Sequence, residues 1–392
     1  MKVCVLATHY VPAHKAGGPV PGIVGVVETM RDHDVHVLTA DRDLGDTKPF
    51  PLPYRGTTAV DGVAVTYLRP LSASSLWQWG RAWRTVRRSD VVYFNSVMSL
   101  GFTIVPLLLL WVTRYRGRVA ISPRGELAGS ALRLGGSTQK QTWLRMMGRL
   151  GLHAHLGRSR VLWVASSVGE CSDVLAIFDD AEVVTLPERL RSRHEVQRTS
   201  ASLVNGLRVV AVGRLAPVKG HDDLLRALTK VQRPVEVQIV GVEEDPTHAA
   251  ELHRLAAGAP GHVRVTFTGP QHPEEVDRSL AAAHLFVLLT HGENFGHAIG
   301  EALRAGCPVL ISDQTPWSGV AEAGAGIVLN VAERRDPVAV ARAVDSFAGL
   351  SDAEWQSWSE KAGAFMMGSE PTPTLLDALR AEPEPFEDGH PD

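Results

Sequence analysis

The sequence predicts an α/β protein built from two doubly wound, parallel-sheet domains, and three observations carry that expectation. Short, continuous, non-alternating apolar runs recur along the chain, as they do for strands buried on both faces. Stretches with a 3.6-residue apolar period separate these runs, so strands and helices alternate. A polar, aperiodic stretch from Glu188 to Val204 then divides the alternation into two series, and 392 residues suffice for two domains with separate cores.

The first series opens with strand Lys2–Ala7, a loop, and a helix from about Pro19 to Met30. The loop carries Gly17 and Gly18, which permit backbone N–H groups to face a phosphate. Strand Asp34–Thr39 follows, then a polar loop with Pro49, Pro51 and Pro53. Thr58–Leu68, broken by Asp61-Gly62, reads as a hairpin. Asp41-Arg42-Asp43 reads as a solvated loop, because no apolar strand follows it. A strand begins at Val91. Phe102–Val112 is apolar but too short for a bilayer and interrupted by Pro106, so it is expected as a buried helix. Strand Val119–Ser122 leads into Pro123-Arg124-Gly125-Glu126, and strand Val161–Ala165 into Ser166-Ser167-Val168-Gly169-Glu170, where a helix-capping serine is the first expectation. Strand Glu182–Leu186 closes the series.

The second series is more regular: strand Leu207–Val212, helix Asp222–Val231, strand Val235–Val240, helix Thr247–Ala257, strand Val263–Thr268 and helix Glu274–Ala283. Strand LFVLL then ends at Thr290-His291-Gly292, a helical period runs from Phe295 to Ala305, and Gly306 stops it before strand Pro308–Ile311. Ligands of such sheets sit where strand C-terminal ends meet helix N-termini. Two carboxylates, Glu293 and Glu301, frame that mouth, and Gly296 lets a ligand approach the first helical turn. A bare E-x7-E more often means a helix cap and a solvated residue. A carboxylate pair also accepts hydrogen bonds from vicinal hydroxyls.

The composition is that of an ordinary globular protein, 44% hydrophobic and 21% charged with net charge −3. Cys4, Cys171 and Cys307 are far apart beside apolar runs, which suits small buried hydrophobes in a reducing compartment. MKVCVLATHY is a strand and a loop with no signal-peptide pattern, so a soluble, cytoplasmic protein is expected. From Trp111 to Arg160 ten basic residues face Glu126 alone. Within that stretch Thr138–Leu150 reads as an amphipathic basic helix, with Trp143, Met146, Met147 and Leu150 opposite Arg145 and Arg149. It suits either an anionic membrane surface or a core helix with a solvated face. No stacking motif or nucleic-acid reading fold accompanies the charge.

GENFGHAIGEAL-x-x-G-x-PVLISD and VGRLAPVKG together resemble the donor site of family 4 glycosyltransferases. The resemblance spans about residues 1–350. It implies a GT-B fold, with two Rossmann-like domains facing across a cleft, the donor on the second and the acceptor on the first. It further implies retaining transfer of a sugar from a nucleoside-diphosphate sugar, with a UDP-sugar favoured, to a glycan or lipid-linked acceptor in bacterial cell-surface polysaccharide or glycoconjugate synthesis, and no metal. In its terms Arg214 and Lys219 bind the diphosphate, and two cations fixed by a proline-containing turn can neutralise a leaving pyrophosphate. Glu293 holds the sugar beside Asn294, Phe295 and Gly296, while Glu301 holds the ribose. Gly17 and Gly18 lie against the diphosphate, and Gly241 lines the nucleoside pocket. Arg124 takes the place of a His or Arg facing the reaction centre, although on residue types it could equally pair with Glu126. Ser166 and Glu170 line the cleft.

The expected boundaries are 1–188 for the first domain, 189–206 for the linker and 207–350 for the second domain. Helices over 351–380 are expected to return to the first domain, before a disordered acidic tail, 381–392. The linker lacks the usual P-N-G turn, and His284 stands where the family commonly has Asp. D-x-D holds a metal in another large class of glycosyltransferases, but Asp41 and Asp43 are not assigned that role. Two alternatives stay open: a catalytically silent nucleotide-sugar-binding partner subunit, and another GT-B enzyme such as a nucleotide-sugar 2-epimerase. An NAD-dependent oxidoreductase would need G-x-G-x-x-G after a first strand, which neither domain has.

Overall fold

The computed structural model describes residues 1–129, 132, 137–156, 159–188, 190, 198, 202–367 and 374–380. The acidic tail and most of the expected linker lie outside the described residues. Two compact units emerge. The first takes Met1–Pro12, most of Ile23–Arg189 and, from Pro371–Asp392, one short helix. The second takes Ala13–Gly22 and the described part of Leu190–Glu370.

The first unit is built on strands β1 (Lys2–Leu6), β2 (Asp34–Ala40), β3 (Gly56–Val60), β4 (Val63–Leu68), β5 (Val91–Phe94), β6 (Arg118–Ile121), β7 (His155–Leu156), β8 (Ser159–Ala165) and β9 (Glu182–Thr185). The order is β3-β4-β2-β1-β5-β6-β8-β7, and β9 also pairs with β8. Pairing is parallel except for β3 with β4 and β7 with β8. The β3–β4 hairpin turns on Asp61 and Gly62 at φ +49° and +82°, the left-handed pair that matches strand twist.

Helix α1 (Pro19–Glu28) starts from the Gly17-Gly18 loop, and its Ile23, Val24 and Val27 pack on one side of this sheet. The other side is covered by α2 (Leu76–Arg88), α3 (Val105–Val112), α4 (Ser137–Arg149) and α5 (Val168–Leu175). A π-type turn, Leu100–Ile104, leads into α3, and Pro106 fits because the first turn lacks N–H acceptors anyway. On α4 the expected apolar face divides. Trp143 and Met147 are buried, whereas Met146 and Leu150 are exposed beside Arg145 and Arg149. The Asp41-Arg42-Asp43 loop also departs from expectation. Asp41 and Asp43 are buried, Asp41 pairing with Arg42 and Asp43 accepting from the Leu44 N–H. Charge pattern alone hid this, because local hydrogen bonds satisfy both carboxylates.

The second unit's sheet is wholly parallel. Its strands are β10 (Leu207–Val212), β11 (Val235–Val240), β12 (Val263–Gly269), β13 (Leu285–Leu288), β14 (Val309–Ser312) and β15 (Gly326–Leu329), in the order β12-β11-β10-β13-β14-β15. Helices α6 (His221–Leu228), α7 (Pro246–Ala257), α8 (Pro273–Ala282), α9 (His297–Arg304), α10 (Val331–Arg335), α11 (Pro337–Ala348) and α12 (Asp352–Met367) complete it. Two separate cores form on the sheet's two faces, one with Leu224, Leu228 and Val344, the other with Leu280, Ile299 and Leu303. That is the doubly wound arrangement. His284 is buried and accepts the Arg208 N–H through Nδ1 at 2.9 Å, with its ring edge-on to Trp355. The region expected to return to the first domain divides. Asp352–Met367 stays with the second unit, while α13 (Leu375–Arg380) places Leu375, Leu376 and Leu379 in the first unit's core.

Cys4 and Cys307 are buried, and burial pushes their thiols up to about 12 and about 11. Among the described residues no helix is long and apolar enough to cross a membrane.

Candidate active site

In the second unit the candidate side chains gather at the C-terminal edge of β10 and β13, the two central strands of the sheet. After β10 the chain turns through Gly213-Arg214-Leu215-Ala216 into a single 3-10 turn, Pro217–Lys219, and Gly220 then caps α6. Gly220 sits at φ +66°, and a Cβ there would fall 1.9 Å from the Leu289 carbonyl oxygen. The residue is glycine for two reasons, backbone conformation and the close passage of β13. Gly241, ending β11, is equally constrained, since a Cβ would lie 1.8 Å from the Gly213 oxygen.

Two hydrogen bonds tie this turn to the loop after β13. The Val218 carbonyl accepts from Thr290 Oγ1 at 2.9 Å and from the His291 N–H at 2.7 Å. Ser312 Oγ, at the end of β14, donates to the Thr290 carbonyl. The Glu293 N–H donates to the Gln314 carbonyl at 3.0 Å, and Trp317 Nε1 donates to the Phe295 carbonyl. Gly296, at φ +80°, then opens α9. The loop is fixed on three sides before any ligand arrives.

This framework brings Lys219 and Glu293 together, with Nζ 2.5 Å from Oε2 and both side chains largely covered. Arg214 pairs with Glu244, in the loop after β11, and both stay partly exposed. Glu301 is buried on α9. Gly17, at φ +68°, and Gly18 lie in the loop that groups with this unit, and a Cβ on Gly18 would sit 3.7 Å from His297 Cδ2. The loop glycines therefore lie beside the first turn of α9, whose N–H groups carry the helix's positive end. Asn294 and Phe295 occupy the loop between Glu293 and Gly296, partly exposed, with Phe295 edge-on to both His297 and Trp317.

Three further residues shape the site. Glu244 is Arg214's counter-ion. Asp223 on α6 pairs with buried Arg334 and lies 3.5 Å from His291. His221 is buried directly after Gly220, and burial first, then the Lys219 charge, lowers its pKa to about 4, so it is neutral at ordinary pH. Nothing in residue spacing pairs Arg214 with Glu244. The Lys219-Gly220-His221 run, placing a histidine at a helix start, was the available signal for His221.

In the first unit Arg124 behaves differently from a loop cation. It holds φ +52°, and its guanidinium turns inward: Nη1 lies 2.5 Å from Glu188 Oε1, Nε donates to Asn95 Oδ1 at 2.7 Å, and Nη2 donates to the Tyr93 hydroxyl at 3.0 Å. Burial lowers its pKa, but Glu188 more than offsets that, and the net shift is upward. Its partner is Glu188 and not Glu126, and its charge is neutralised inside the unit. Glu126 instead accepts from Ser96 Oγ and from the Val97 and Met98 N–H groups, while burial raises its pKa. Glu170 accepts from the Gly125 N–H and from both the N–H and hydroxyl of Ser166. Ser166 and Glu170 thus hold the Arg124 loop, beside a small cavity of about 30 Å³ lined by Tyr93, Arg124, Ser166 and Glu188.

Residues 193–362 match the family described as glycosyl transferases group 1. A D-inositol 3-phosphate glycosyltransferase of Nocardia farcinica (strain IFM 10152) is 34% identical over 148 residues, covering 36% of this chain and 33% of that protein. This chain therefore aligns with about a third of that relative's length. A GDP-mannose:cellobiosyl-diphosphopolyprenol alpha-mannosyltransferase of Komagataeibacter xylinus is 24% identical over 339 residues, covering 84% and 80%. Among solved structures, Anabaena Alr3699/HepE in complex with UDP and glucose superposes with TM-score 0.64 at 18% identity, covering 93% of this chain and 94% of that one. WaaG, a glycosyltransferase involved in lipopolysaccharide biosynthesis, superposes with TM-score 0.65 at 15% identity, covering 94% and 96%. The fold is GT-B, and the match to the glycosyl transferases group 1 falls within the second unit.

Proposed function

We propose that the chain moves a sugar from a nucleoside-diphosphate sugar, a UDP-sugar by preference, to a glycan or lipid-linked acceptor, with retention at the anomeric carbon and no metal requirement. The setting proposed is bacterial cell-surface polysaccharide or glycoconjugate synthesis, on the cytoplasmic side of the membrane and peripheral to it. The observation that carries this reading is the apposition of Lys219 and Glu293, with Arg214 on the same sheet edge.

In this reading Arg214 and Lys219 receive the diphosphate. Charge grows on it as the bond from the anomeric carbon to the β-phosphate oxygen breaks, and fixed cations stabilise that charge more than the ground state. Lys219 has three donors, so it can keep Glu293 while reaching a phosphate oxygen. Glu293, held by Lys219 and its own backbone bond, accepts hydroxyl hydrogen bonds from the sugar, with backbone groups of Asn294, Phe295 and Gly296 alongside. Glu301 accepts from the ribose, and Gly17, Gly18 and Gly241 leave room for the diphosphate and nucleoside. The acceptor oxygen bonds to the anomeric carbon on the face the diphosphate leaves, and its proton passes to the departing diphosphate oxygen. Arg124, Ser166 and Glu170 shape the acceptor-side loop by position, since the Arg124 charge is already paired.

A bound UDP in HepE supports the nucleotide preference, and the polyprenol-linked acceptor named for the Komagataeibacter relative supports the acceptor class. The test is thermal stability with UDP, GDP or ADP in EDTA, followed by nucleotide release from the matching sugar donor with a bacterial lipid extract. A ligand at about a hundred times its Kd adds roughly 2.7 kcal/mol. Stabilisation by UDP that Arg214→Ala abolishes, together with lipid-dependent UDP release, is the expected result. No stabilisation by any of the three would defeat the reading.

A further inference from the structure

We propose that the outer face of α2 and α3, in the first unit, docks on an anionic lipid bilayer. This deepens the peripheral-membrane part of the proposed function, and it rests on residues separate from the donor site.

The two helices lie side by side and point the same way. Near their starts, the rings of Trp79 on α2 and Phe102 in the turn before α3 are 5.1 Å apart. Near their ends, Tyr115 OH donates to the Ser89 carbonyl at 2.6 Å. Their inward sides are spent on the core through Ala82, Val86, Leu107 and Leu110. Their outward side has two kinds of residue. At the starting end Leu76, Trp77 and Leu100 stand out, Trp77 62% and Leu100 63% exposed. At the far end Leu109, Trp111 and Val112 do the same. Between these apolar tips α2 presents Arg81, Arg84 and Arg88, all exposed.

Charge is one-sided here. Arg69 to Arg118 contains eight arginines and a single acidic residue, Asp90. Asp90 accepts the Lys2 backbone N–H at 2.8 Å, at the base of the sheet. Helix α2 itself contains no acid. Met146 and Leu150 with Arg145 and Arg149 continue the same pattern on α4, which packs into the same core and donates from Trp143 Nε1 to the Val97 carbonyl.

Apolar side chains left in water beside unopposed arginines are poorly explained by stability, because nothing among the described residues covers them. A soluble polyanion would match the arginines but not the leucine, valine and tryptophan tips. An anionic bilayer matches both: arginines meet headgroup phosphates while the tips enter the acyl boundary, the depth at which tryptophan partitions best.

Vesicle co-sedimentation of the full chain tests this, using phosphatidylcholine alone and phosphatidylcholine mixed equally with phosphatidylglycerol. Wild type should pellet with the anionic vesicles, stay in solution with the neutral ones and be released by high salt. Arg81→Glu/Arg84→Glu/Arg88→Glu should lower partitioning about a hundredfold, and Trp77→Ser/Leu100→Ser about tenfold. Melting temperature and UDP binding are read on every variant, so a folding defect or a failed donor site is seen separately from lost docking. The proposal is overturned if wild type ignores anionic vesicles or if the folded triple variant pellets as wild type does. It is equally overturned if sedimentation velocity shows a dimer that Trp77→Ser dissolves, for the face would then belong to a second copy.

Discussion

Lys219 Nζ and Glu293 Oε2 lie 2.5 Å apart although 74 residues separate them, and each arrives there on a loop held by the other's neighbours. The pair is partly solvated, so its direct worth to stability is small, at most about 1 kcal/mol. Its worth to the proposed transfer is larger. Lys219→Ala is expected to lower kcat/KM about a hundredfold while shifting the melting temperature little. Steady-state kinetics beside a thermal melt separates the two effects, and a large melt shift with intact activity would contradict the assignment.

Arg124 and Glu188 make the opposite case. Both side chains are nearly inaccessible, and removing one partner strands the other's charge. Arg124→Met is expected to cost about 3–5 kcal/mol of stability, measured by urea denaturation. Adding Glu188→Met to it should restore much of that loss, because two apolar side chains need no counter-ion. A double variant weaker than either single one would show that each side chain stabilises independently of its partner.

Gly220 and Gly241 differ from Gly17 in what constrains them. At Gly220 and Gly241 a Cβ would strike a carbonyl oxygen, whereas around Gly17 there is open space and only the positive φ opposes a side chain. Gly17→Ala should therefore cost about 1–2 kcal/mol with the site intact. Gly220→Ala and Gly241→Ala should displace β13 or the Gly213 turn and weaken UDP binding as well. Calorimetric titration of UDP into the folded variants distinguishes these outcomes.

His221 carries a pH dependence of defined sign. Its pKa falls from the ordinary histidine value of about 6.5 to about 4 on folding, so the unfolded chain binds the proton more readily. The stability it contributes is complete above the unfolded value and is lost as pH falls from about 6.5 through about 4, by roughly 3 kcal/mol at most. His221→Gln should flatten that part of the stability curve. An unchanged acid limb in the variant would show that other groups govern it.

In the proposed donor site Glu244 competes with the diphosphate for Arg214. Because that ion pair is partly exposed, its strength is modest. Glu244→Gln is expected to tighten UDP binding about two- to fivefold, and to have no effect in an Arg214→Ala background. Equal tightening in both backgrounds would place the effect elsewhere.

The alternation of strands and helices, the hairpin at Asp61-Gly62 and the glycines that shape the Lys219 and Glu293 loops were legible because each depends on local signals: apolar runs, left-handed turn residues, and glycines that stop or admit the backbone. What the sequence left open depends on partners brought from far away. Arg124 reads as a loop cation until Glu188, 64 positions on, is seen to close over it. The Asp41-Arg42-Asp43 loop reads as solvated until its own hydrogen bonds are drawn. On α4 a helical wheel gives one apolar face, but it cannot say that the core takes Trp143 and Met147 and leaves Met146 and Leu150 in water.

The shared carbonyl of Val218 has a consequence for altering this protein. Since Thr290 and His291 both donate to it, neither loop has a resting position of its own. A donor preference transplanted from a relative by exchanging only Ala216–Gly220, or only Thr290–Phe295, would arrive on a mismatched neighbour. The two segments form one heritable part, and chimeras should be cut around both together.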